Sequence, residues 1–357
     1  MKVLHLPTLV GGMPWGLAQG ERRIGLQSEV FSLYNSPLQY PADRVLFKNN
    51  QKSLARKILV IPSLIKEVYR IRKNYDIFHF NFGSSLIDLR GPGLHLIDLP
   101  FYEGKIVVTY NGCDARLKYP TIHRVPFSAC HQEDCYEGIC NNSARDEMKR
   151  SRIAKFDRYA HAVFAVNPDL MHFLPKRAEF LPYAISNWDM IRTVPYHGVN
   201  KRLRILHSPT NRAAKGSDTI IECLELVKQR YGDLVELLLV ENLPNEKARE
   251  LYAQADLAID QILIGWYGGF AVEVMKMGIP VVAFIRKEDL QFLPKAMADD
   301  CEKAIIQADP ASLFRKLQEI IENASILLSY REAALEYVHR WHDPINVAKM
   351  TKSIYEG

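Results

Sequence analysis

The sequence predicts an α/β protein with two parallel sheets, each covered by helices on both faces. Short β-branched and apolar runs alternate with longer amphipathic stretches along the chain, which is typical of βαβ units. The alternation occurs as two series separated by a polar stretch. With 357 residues, 48% of them apolar, the chain is long enough for two hydrophobic cores. We therefore expect two Rossmann-like domains.

The first series holds six candidate strands, namely Val3–Leu6, Val30–Leu33, Ile77–Phe80, Ile106–Tyr110, Ala162–Val166 and Phe180–Pro182. The second series holds four, namely Leu203–His207, Val235–Val240, Leu257–Asp260 and Pro280–Phe284. Helical periodicity marks Ser217–Tyr231, Asn245–Ala255, Phe270–Met277 and Ala311–Asn323. Beyond the second series we expect helices and no further strand.

The polar stretch 186–202 predicts the boundary between the domains. We expect a first domain at 1–195, a second at 196–335 and a C-terminal helix within 336–357. That helix has a clear start, because Asp343 can cap it and Pro344 suits its first turn. We expect it to return to the first domain.

Charge is distributed unevenly between the two halves of the chain. The net charge of +5 is too small to indicate nucleic-acid binding. Residues 1–200 carry 26 basic and 18 acidic side chains, whereas 201–357 carry 20 and 23. The basic half favours contact with an anionic surface or substrate. The longest apolar stretch, Ile58–Ile65, is interrupted by Pro62 and cannot span a membrane. We therefore expect a cytoplasmic protein. Its cysteines are then expected to be reduced thiols.

The segment 205–284 carries the residues that indicate chemistry. Arg212 and Lys215 follow the strand that ends at His207, so they lie at the carboxyl edge of the predicted sheet. Two cations at that edge suit a diphosphate. The alternative interpretation is that they are solvated surface side chains.

A second pattern in this segment begins a helix. Gly268 and Gly269 allow backbone N–H groups at a helix N-terminus to approach an anion. Glu273 follows one turn later in an apolar helix, where a carboxylate is costly unless it has hydrogen-bond partners. It could accept hydrogen bonds from both hydroxyls of a ribose, or lie exposed on a solvated face.

These residues resemble the donor domain of the GT-B retaining glycosyltransferases of family 4. The matching motifs are KGSD from Lys215, Tyr252 with Ala255-Asp256, and the G-x-x-V-E-x-M-x-x-G-x-P-V-V pattern that contains Glu273. Gly11-Gly12 and the Asn-Gly-Cys-Asp segment 111–114 also occupy the positions that the family leads us to expect.

The resemblance implies two Rossmann-like domains facing each other across a cleft. It further implies retaining, metal-independent transfer of a sugar from a UDP- or GDP-sugar to a glycan acceptor, with no cofactor. The implied catalytic residues are Lys215, Asn111 and Asp114. The implied donor-binding residues are Gly11, Gly12, Arg212, Lys215, Gly268, Gly269 and Glu273.

Three positions depart from the family's pattern. Gly265 replaces the first Glu of the E-x7-E pair, Thr210 replaces an Arg, and Asn111 replaces a His. Two other functions therefore stay open: a GT-B sugar-nucleotide epimerase, and a non-catalytic sugar-nucleotide-binding homologue that acts with a partner enzyme.

Two further segments carry unusual composition. Cys130, Cys135 and Cys140 have a C-x4-C-x4-C spacing that could hold a structural zinc or iron–sulfur cluster, with a fourth ligand from Cys113, His123 or His131; ordinary thiols are the alternative. Residues 48–73 are basic and amphipathic. They predict either a solvated helix face or contact with anionic lipid, and hence a lipid-linked acceptor and a place on the inner face of the membrane.

Overall fold

A computed structural model of the chain describes residues 1–47, 60–89, 93–196, 198–199 and 202–357. Contacts divide it into two compact units. The first unit comprises Met1–Leu117, Glu147–Trp188 and Asp343–Gly357, and the second comprises Lys118–Asp146 and Asp189–His342.

The helices separate the strands along most of the chain. They are α1 (Met13–Arg23), α2 (Ile61–Ile71), α3 (Lys118–Arg124), α4 (Ser143–Tyr159), α5 (Arg212–Lys215), α6 (Ser217–Tyr231), α7 (Asn245–Tyr252), α8 (Gly269–Lys276), α9 (Lys295–Ala304), α10 (Leu313–Glu322), α11 (Ile326–Trp341) and α12 (Pro344–Glu356).

The first unit is built on a parallel sheet. Its strands are β1 (Lys2–Leu6), β2 (Gln27–Tyr34), β3 (Arg44–Phe47), β4 (Ile77–Asn81), β5 (Lys105–Tyr110), β6 (Ala160–Ala165) and β7 (Glu179–Phe180). Within the described part of the chain their order is β3-β2-β1-β4-β5-β6-β7. Side chains alternate between two buried faces: Phe78 and Phe80 of β4 pack in one apolar cluster, and Ile77 packs in another.

A buried polar network joins the C-terminal helix to this sheet. The Glu21 carboxylate on α1 accepts hydrogen bonds from Ser28 Oγ (2.6 Å) and from the Tyr355 hydroxyl on α12 (2.9 Å), and lies 2.8 Å from His5 Nε2. His79 Nδ1 lies 2.6 Å from the same tyrosine oxygen. Helix α12 therefore belongs to the first unit, as the sequence predicted.

The second unit contains a smaller parallel sheet. Its strands are β8 (Leu203–His207), β9 (Val235–Leu239), β10 (Leu257–Ile259), β11 (Val281–Ala283) and β12 (Ile305–Gln307). Among the residues described here their order is β12-β11-β10-β8-β9. Strands β8 and β10 are neighbours, with Leu257 opposite Ile205 and Ile259 opposite His207, so their carboxyl ends meet at one edge.

The ten predicted strands are confirmed within a few residues, but the prediction of no strand after Phe284 is wrong. Strand β12 pairs with β11, and Val281 lies opposite Ile305. Strand β12 starts at Ile305, directly after α9 ends at Ala304, so no turn residue marks its beginning in the sequence. Strand β3 was missed as well: its four residues are all half-buried and show no alternation of apolar and polar side chains.

The predicted domain ranges differ from the two units in three segments. Residues 189–195, expected in the first domain, and 336–342, expected with the C-terminal helix, belong to the second unit. Residues Lys118–Asp146, expected in the first domain, also belong to the second unit. Within it, Arg124 Nη1 donates to Asp289 Oδ1 at 2.9 Å, and the rings of Phe127 and Phe284 lie 4.9 Å apart. These long-range contacts are not visible in local composition.

None of the described helices combines the length and the apolar character that a membrane span requires. Residues 48–59 of the basic segment lie outside the described residues.

Close packing of α12 on α1 predicts that Gly20→Ala destabilises the first unit. A Cβ at Gly20 would lie 2.0 Å from the carbonyl oxygen of Pro344, so backbone must shift to admit it. We expect a loss of about 1–3 kcal/mol, typical of overpacking. Urea denaturation measures it, with Ser353→Ala on the exposed face of α12 as the control. Equal midpoints for the Gly20→Ala variant and the wild type would contradict the prediction.

Candidate functional site

The buried Asp260 carboxylate organises the carboxyl edge of the second sheet. Its Oδ1 lies 2.5 Å from Lys215 Nζ, and its Oδ2 accepts the Gly268 N–H at 2.6 Å. The Asp260 side chain has no exposed surface and that of Lys215 is 13% exposed. Asp260 follows β10 and Lys215 follows β8, so their ion pair joins two neighbouring βα connections. The hydrogen bond from Gly268 joins both of them to the start of α8.

Local sequence explains why Lys215 occupies this position. Asn211 caps the single turn of α5, because its Oδ1 accepts the Ala214 N–H at 2.9 Å. The turn ends at Gly216, which has φ +76° and whose Cβ would lie 2.8 Å from the Ile262 side chain. A glycine is therefore required where the chain turns from α5 into α6.

Gly268 is the N-cap residue of α8 and Gly269 is its first residue, so the helix starts where the sequence predicted. A Cβ at Gly268 would lie 3.1 Å from Lys215 Nζ, so a side chain at this position would push the ammonium slightly away. The first N–H groups of an α-helix have no partner within the helix. Lys215 and the N-terminus of α8 thus present positive charge at the same place.

Glu273 is buried one turn into α8. It is 5% exposed, and the Asn245 amide donates to its two oxygens at 2.9 and 3.2 Å. Burial raises the pKa of Glu273 to about 7, against the lowering effects of the Asn245 hydrogen bond and the Arg249 charge. The interpretation as an exposed carboxylate on a solvated face is therefore wrong.

Sequence reasoning did not identify Asn245 and Arg249 as part of this environment. Both lie on α7 together with Tyr252, at spacings of four and three residues, and therefore on one face of the helix. Arg249 and Tyr252 are buried. A polar stripe on the buried face of a short helix is the signal that could have revealed them.

Arg212, the second predicted cation, is paired with a carboxylate. Its Nε and Nη2 donate to the two oxygens of Glu241 at 2.8 and 2.7 Å, while about half of its side chain is exposed. The bond from Arg212 holds the pKa of Glu241 below its usual range. Both cations of the candidate site therefore form ion pairs, Arg212 with Glu241 and Lys215 with Asp260.

At Gly265, where the family's pattern has Glu, a guanidinium occupies the space of the missing side chain. Gly265 has φ +87°, and a Cβ there would lie 2.4 Å from Nη1 of Arg286. The backbone N–H of Arg286 donates to the Gly265 carbonyl at 2.9 Å. A side chain at position 265 is therefore incompatible with this position of Arg286.

The remaining predicted site residues lie together in the first unit. Gly11 and Gly12 follow β1 with φ +57° and +68°, and Asn111 Nδ2 lies 3.5 Å from the sulfur of Met13, the next residue after Gly12. Asp114 is half-buried, and its oxygens accept the backbone N–H groups of Asn111 and Gly112 at 2.6–3.1 Å. Burial raises the pKa of Asp114 to about 6. Asp114 thus braces the loop after β5.

The predicted metal ligands do not converge. Among the described residues, one group of three His, Cys, Asp or Glu has ligand atoms within 4.8 Å of one another, and it is His5, Glu21 and His79. Cys130, Cys135 and Cys140, which the structure describes, are not in that group.

No protein-family model matches the sequence, and no curated protein matches it. Solved structures do match over the whole chain. Sucrose-phosphate synthase from Thermosynechococcus elongatus is 14% identical with a TM-score of 0.64, covering 99% of this chain and 98% of that one. HepE of Anabaena, in complex with UDP and glucose, is 13% identical with a TM-score of 0.61, covering 100% and 99%.

A UDP-GlcNAc 2-epimerase from Neisseria meningitidis bound to UDP-GlcNAc is 12% identical with a TM-score of 0.53, covering all of both chains. At these identities the likeness concerns the fold. The chain therefore has the GT-B fold that the sequence predicted.

If the site takes a nucleotide diphosphate such as UDP, the pairing of Arg212 with Glu241 predicts that Glu241→Gln strengthens its binding by a few-fold. The substitution removes the negative charge that holds the guanidinium, so Arg212 can turn to an anionic ligand. Isothermal titration calorimetry with UDP measures the change. Glu236→Gln, which removes an exposed carboxylate from β9, is the matched control. Unchanged or weaker affinity in the Glu241→Gln variant would show that Arg212 does not meet the diphosphate.

Proposed function

We propose that this chain is a retaining glycosyltransferase of the family 4 type, which moves a sugar from a UDP- or GDP-sugar to a glycan acceptor. The observation that supports it most is the meeting of Lys215 with the glycine-started helix α8 at Asp260, with Glu273 buried one turn further on. An anion site and a hydroxyl-accepting carboxylate at that separation suit the diphosphate and ribose of a nucleotide sugar.

The chemistry follows from charge on the leaving diphosphate. As the bond between the sugar and the diphosphate breaks, negative charge grows on the phosphate oxygens. Lys215 has three N–H donors, and the bond to Asp260 uses one of them and fixes the direction of the others. Lys215 and the α8 N-terminus then stabilise the departing phosphate without a metal ion.

The Glu273 carboxylate accepts the ribose hydroxyls in this proposal. The Asn245 amide fixes the orientation of the carboxylate, since it donates to both oxygens. The ionised form is required, because a protonated carboxyl loses acceptor capacity.

The acceptor is proposed to be a lipid-linked glycan that the enzyme meets on the inner face of the membrane. In the described part of the basic segment, Ile65 and Tyr69 on α2 are 55% and 72% exposed, and Arg70 and Lys73 are more than half exposed. Exposed basic and aromatic side chains on α2 and in the turn just after it suit an anionic lipid surface. Sedimentation with anionic and neutral vesicles tests this, and equal pelleting at low and high salt would contradict it.

An epimerase is the second candidate, since a sugar-nucleotide epimerase shares this fold. It requires acid–base groups beside the sugar. Asp260 is bound to Lys215 and Gly268, and Gly265 carries no side chain, which favours transfer over epimerisation.

Incubation with a panel of UDP-, GDP- and ADP-sugars tests the proposed function. We expect slow hydrolysis of one donor with no metal added and no loss of rate in EDTA. Epimerised donor would indicate the second candidate, and binding without turnover a non-catalytic homologue.

Lys215→Ala should lower kcat more than it raises KM, because charge on the leaving group grows in the transition state. An effect on KM alone would contradict that role.

Burial of Glu273 predicts that nucleotide binding weakens in acid. With a pKa of about 7 the carboxylate is ionised at pH 8 and mostly protonated at pH 6, so UDP affinity should fall by roughly tenfold between them. Calorimetry at both pH values measures this. Glu273→Gln should bind UDP more weakly and lose this difference, whereas Glu250→Gln on the exposed face of α7 should keep it. The same pH dependence in wild type and Glu273→Gln would exclude the role.

A further inference from the structure

A pocket opens one strand away from the candidate donor site. It lies at the carboxyl ends of β11 and β12, has a volume of about 420 Å³, and belongs wholly to the second unit. We call it the β11/β12 pocket; the lining residues used below are Phe127, Phe284, Arg286, Gln307, Asp309 and Ser312. Pockets of this size take small ligands. None of the predicted site residues lines it.

One wall of the β11/β12 pocket is aromatic. The rings of Phe127 and Phe284 lie 4.9 Å apart and are inclined by 40°, and both are half-buried. Phe127 comes from the segment 118–146, which thus completes a pocket in the second unit. Aromatic faces pack well against the C–H face of a sugar ring.

Arg286 is built into this wall rather than presented to a ligand. Its guanidinium lies over the Phe284 ring, 5.3 Å from the centroid. Its Nη2 donates to the Phe127 carbonyl at 3.3 Å, and its Nη1 to the Ile264 carbonyl at 3.3 Å and toward Asp289 at 3.5 Å. These bonds hold the charge in place, so Arg286 is a poor anchor for an anionic group.

The end of β12 contributes a hydrogen-bond donor and an acceptor two residues apart to the lining. Gln307 Oε1 accepts the Ile285 N–H at 3.2 Å, whereas its Nε2 is buried and, among the described residues, has no hydrogen-bond partner. Asp309 accepts the hydroxyl and the N–H of Ser312 at 2.6 and 2.8 Å, which keeps its pKa low and the carboxylate ionised. A carboxylate with these two bonds retains acceptor capacity.

The charges that line the β11/β12 pocket balance. Arg286 and Lys287 are offset by Glu288 and Asp309. Balanced charge disfavours phosphate, while an aromatic face beside an amide donor and a carboxylate acceptor matches a ring whose hydroxyls donate and accept. From this juxtaposition we infer that the β11/β12 pocket is a second carbohydrate subsite, which binds a neutral pyranose unit that is not attached to the nucleotide.

Saturation-transfer NMR on the full chain tests the subsite. The probes are the methyl glycosides of glucose, galactose, mannose and N-acetylglucosamine, each with UDP present in excess, and inorganic phosphate and methyl glucuronide serve as anionic probes. We expect at least one neutral glycoside to bind and neither anion to displace it. Binding of no neutral glycoside, or displacement by phosphate, would overturn the inference.

Variants locate the binding. Gln307→Glu keeps the shape and one oxygen but replaces the unpartnered N–H donor, so glycoside affinity should fall at least tenfold. Asp309→Asn should weaken it as well, and provides a second variant if the first unfolds. Gln229→Glu makes the same charge change on the exposed face of α6 and should have no effect. Glycoside binding unchanged in both pocket variants would show that the sugar binds elsewhere.

UDP affinity, measured in the same samples, separates the two proposals. Retained UDP binding with no glycoside binding would contradict the subsite alone. Glycoside binding without UDP binding would contradict the donor site alone.

Discussion

The position of the Asp260 carboxylate is the constraint on which the candidate site depends. It has no exposed surface, and a buried charge is costly unless it is paired and hydrogen-bonded. Lys215 and the N–H of Gly268 meet that requirement. In doing so they bring the connection after β8 and the start of α8 to one edge of the sheet. The cost of burying one carboxylate therefore determines where a cation and a helix N-terminus coincide.

Ion pairs also fix other charged side chains of the second unit. Arg212 is bound by Glu241, and Asp289 accepts from both Arg124 and Arg286. These pairs hold long side chains in single directions, so the surface around the α8 N-terminus is organised before a ligand arrives. They also reduce the net positive charge, so the proposed diphosphate would depend on N–H donors as much as on cations.

A comparable polar network shapes the first unit. The Glu21 carboxylate accepts hydrogen bonds from side chains of β2 and α12 and lies beside His5 of β1. His79 of β4 connects the same tyrosine of α12 to Thr109 of β5. Because these groups are buried, leaving any one of them unpaired would be costly, so the network specifies which face of α12 meets the sheet. The last helix of the chain thus becomes part of the first unit's core.

Sequence alone determined the α/β class, every described strand except β3 and β12, the return of the C-terminal helix and the glycine-started helix that carries Glu273. These features follow from local rules: hydrophobic alternation, helix caps, and the need for glycine where the backbone or a neighbour leaves no space for Cβ. Tertiary structure alone decided that Asn245 partners Glu273, that Arg286 fills the space beside Gly265, and that residues 118–146 join the second unit. Each of these outcomes depends on contacts between groups that are about 20 to more than 150 residues apart in sequence. The Phe127 carbonyl and the Arg286 guanidinium are one such pair. Hydrogen-bond geometry between distant residues leaves no periodic signal in a sequence, which is why only the folded chain reveals it.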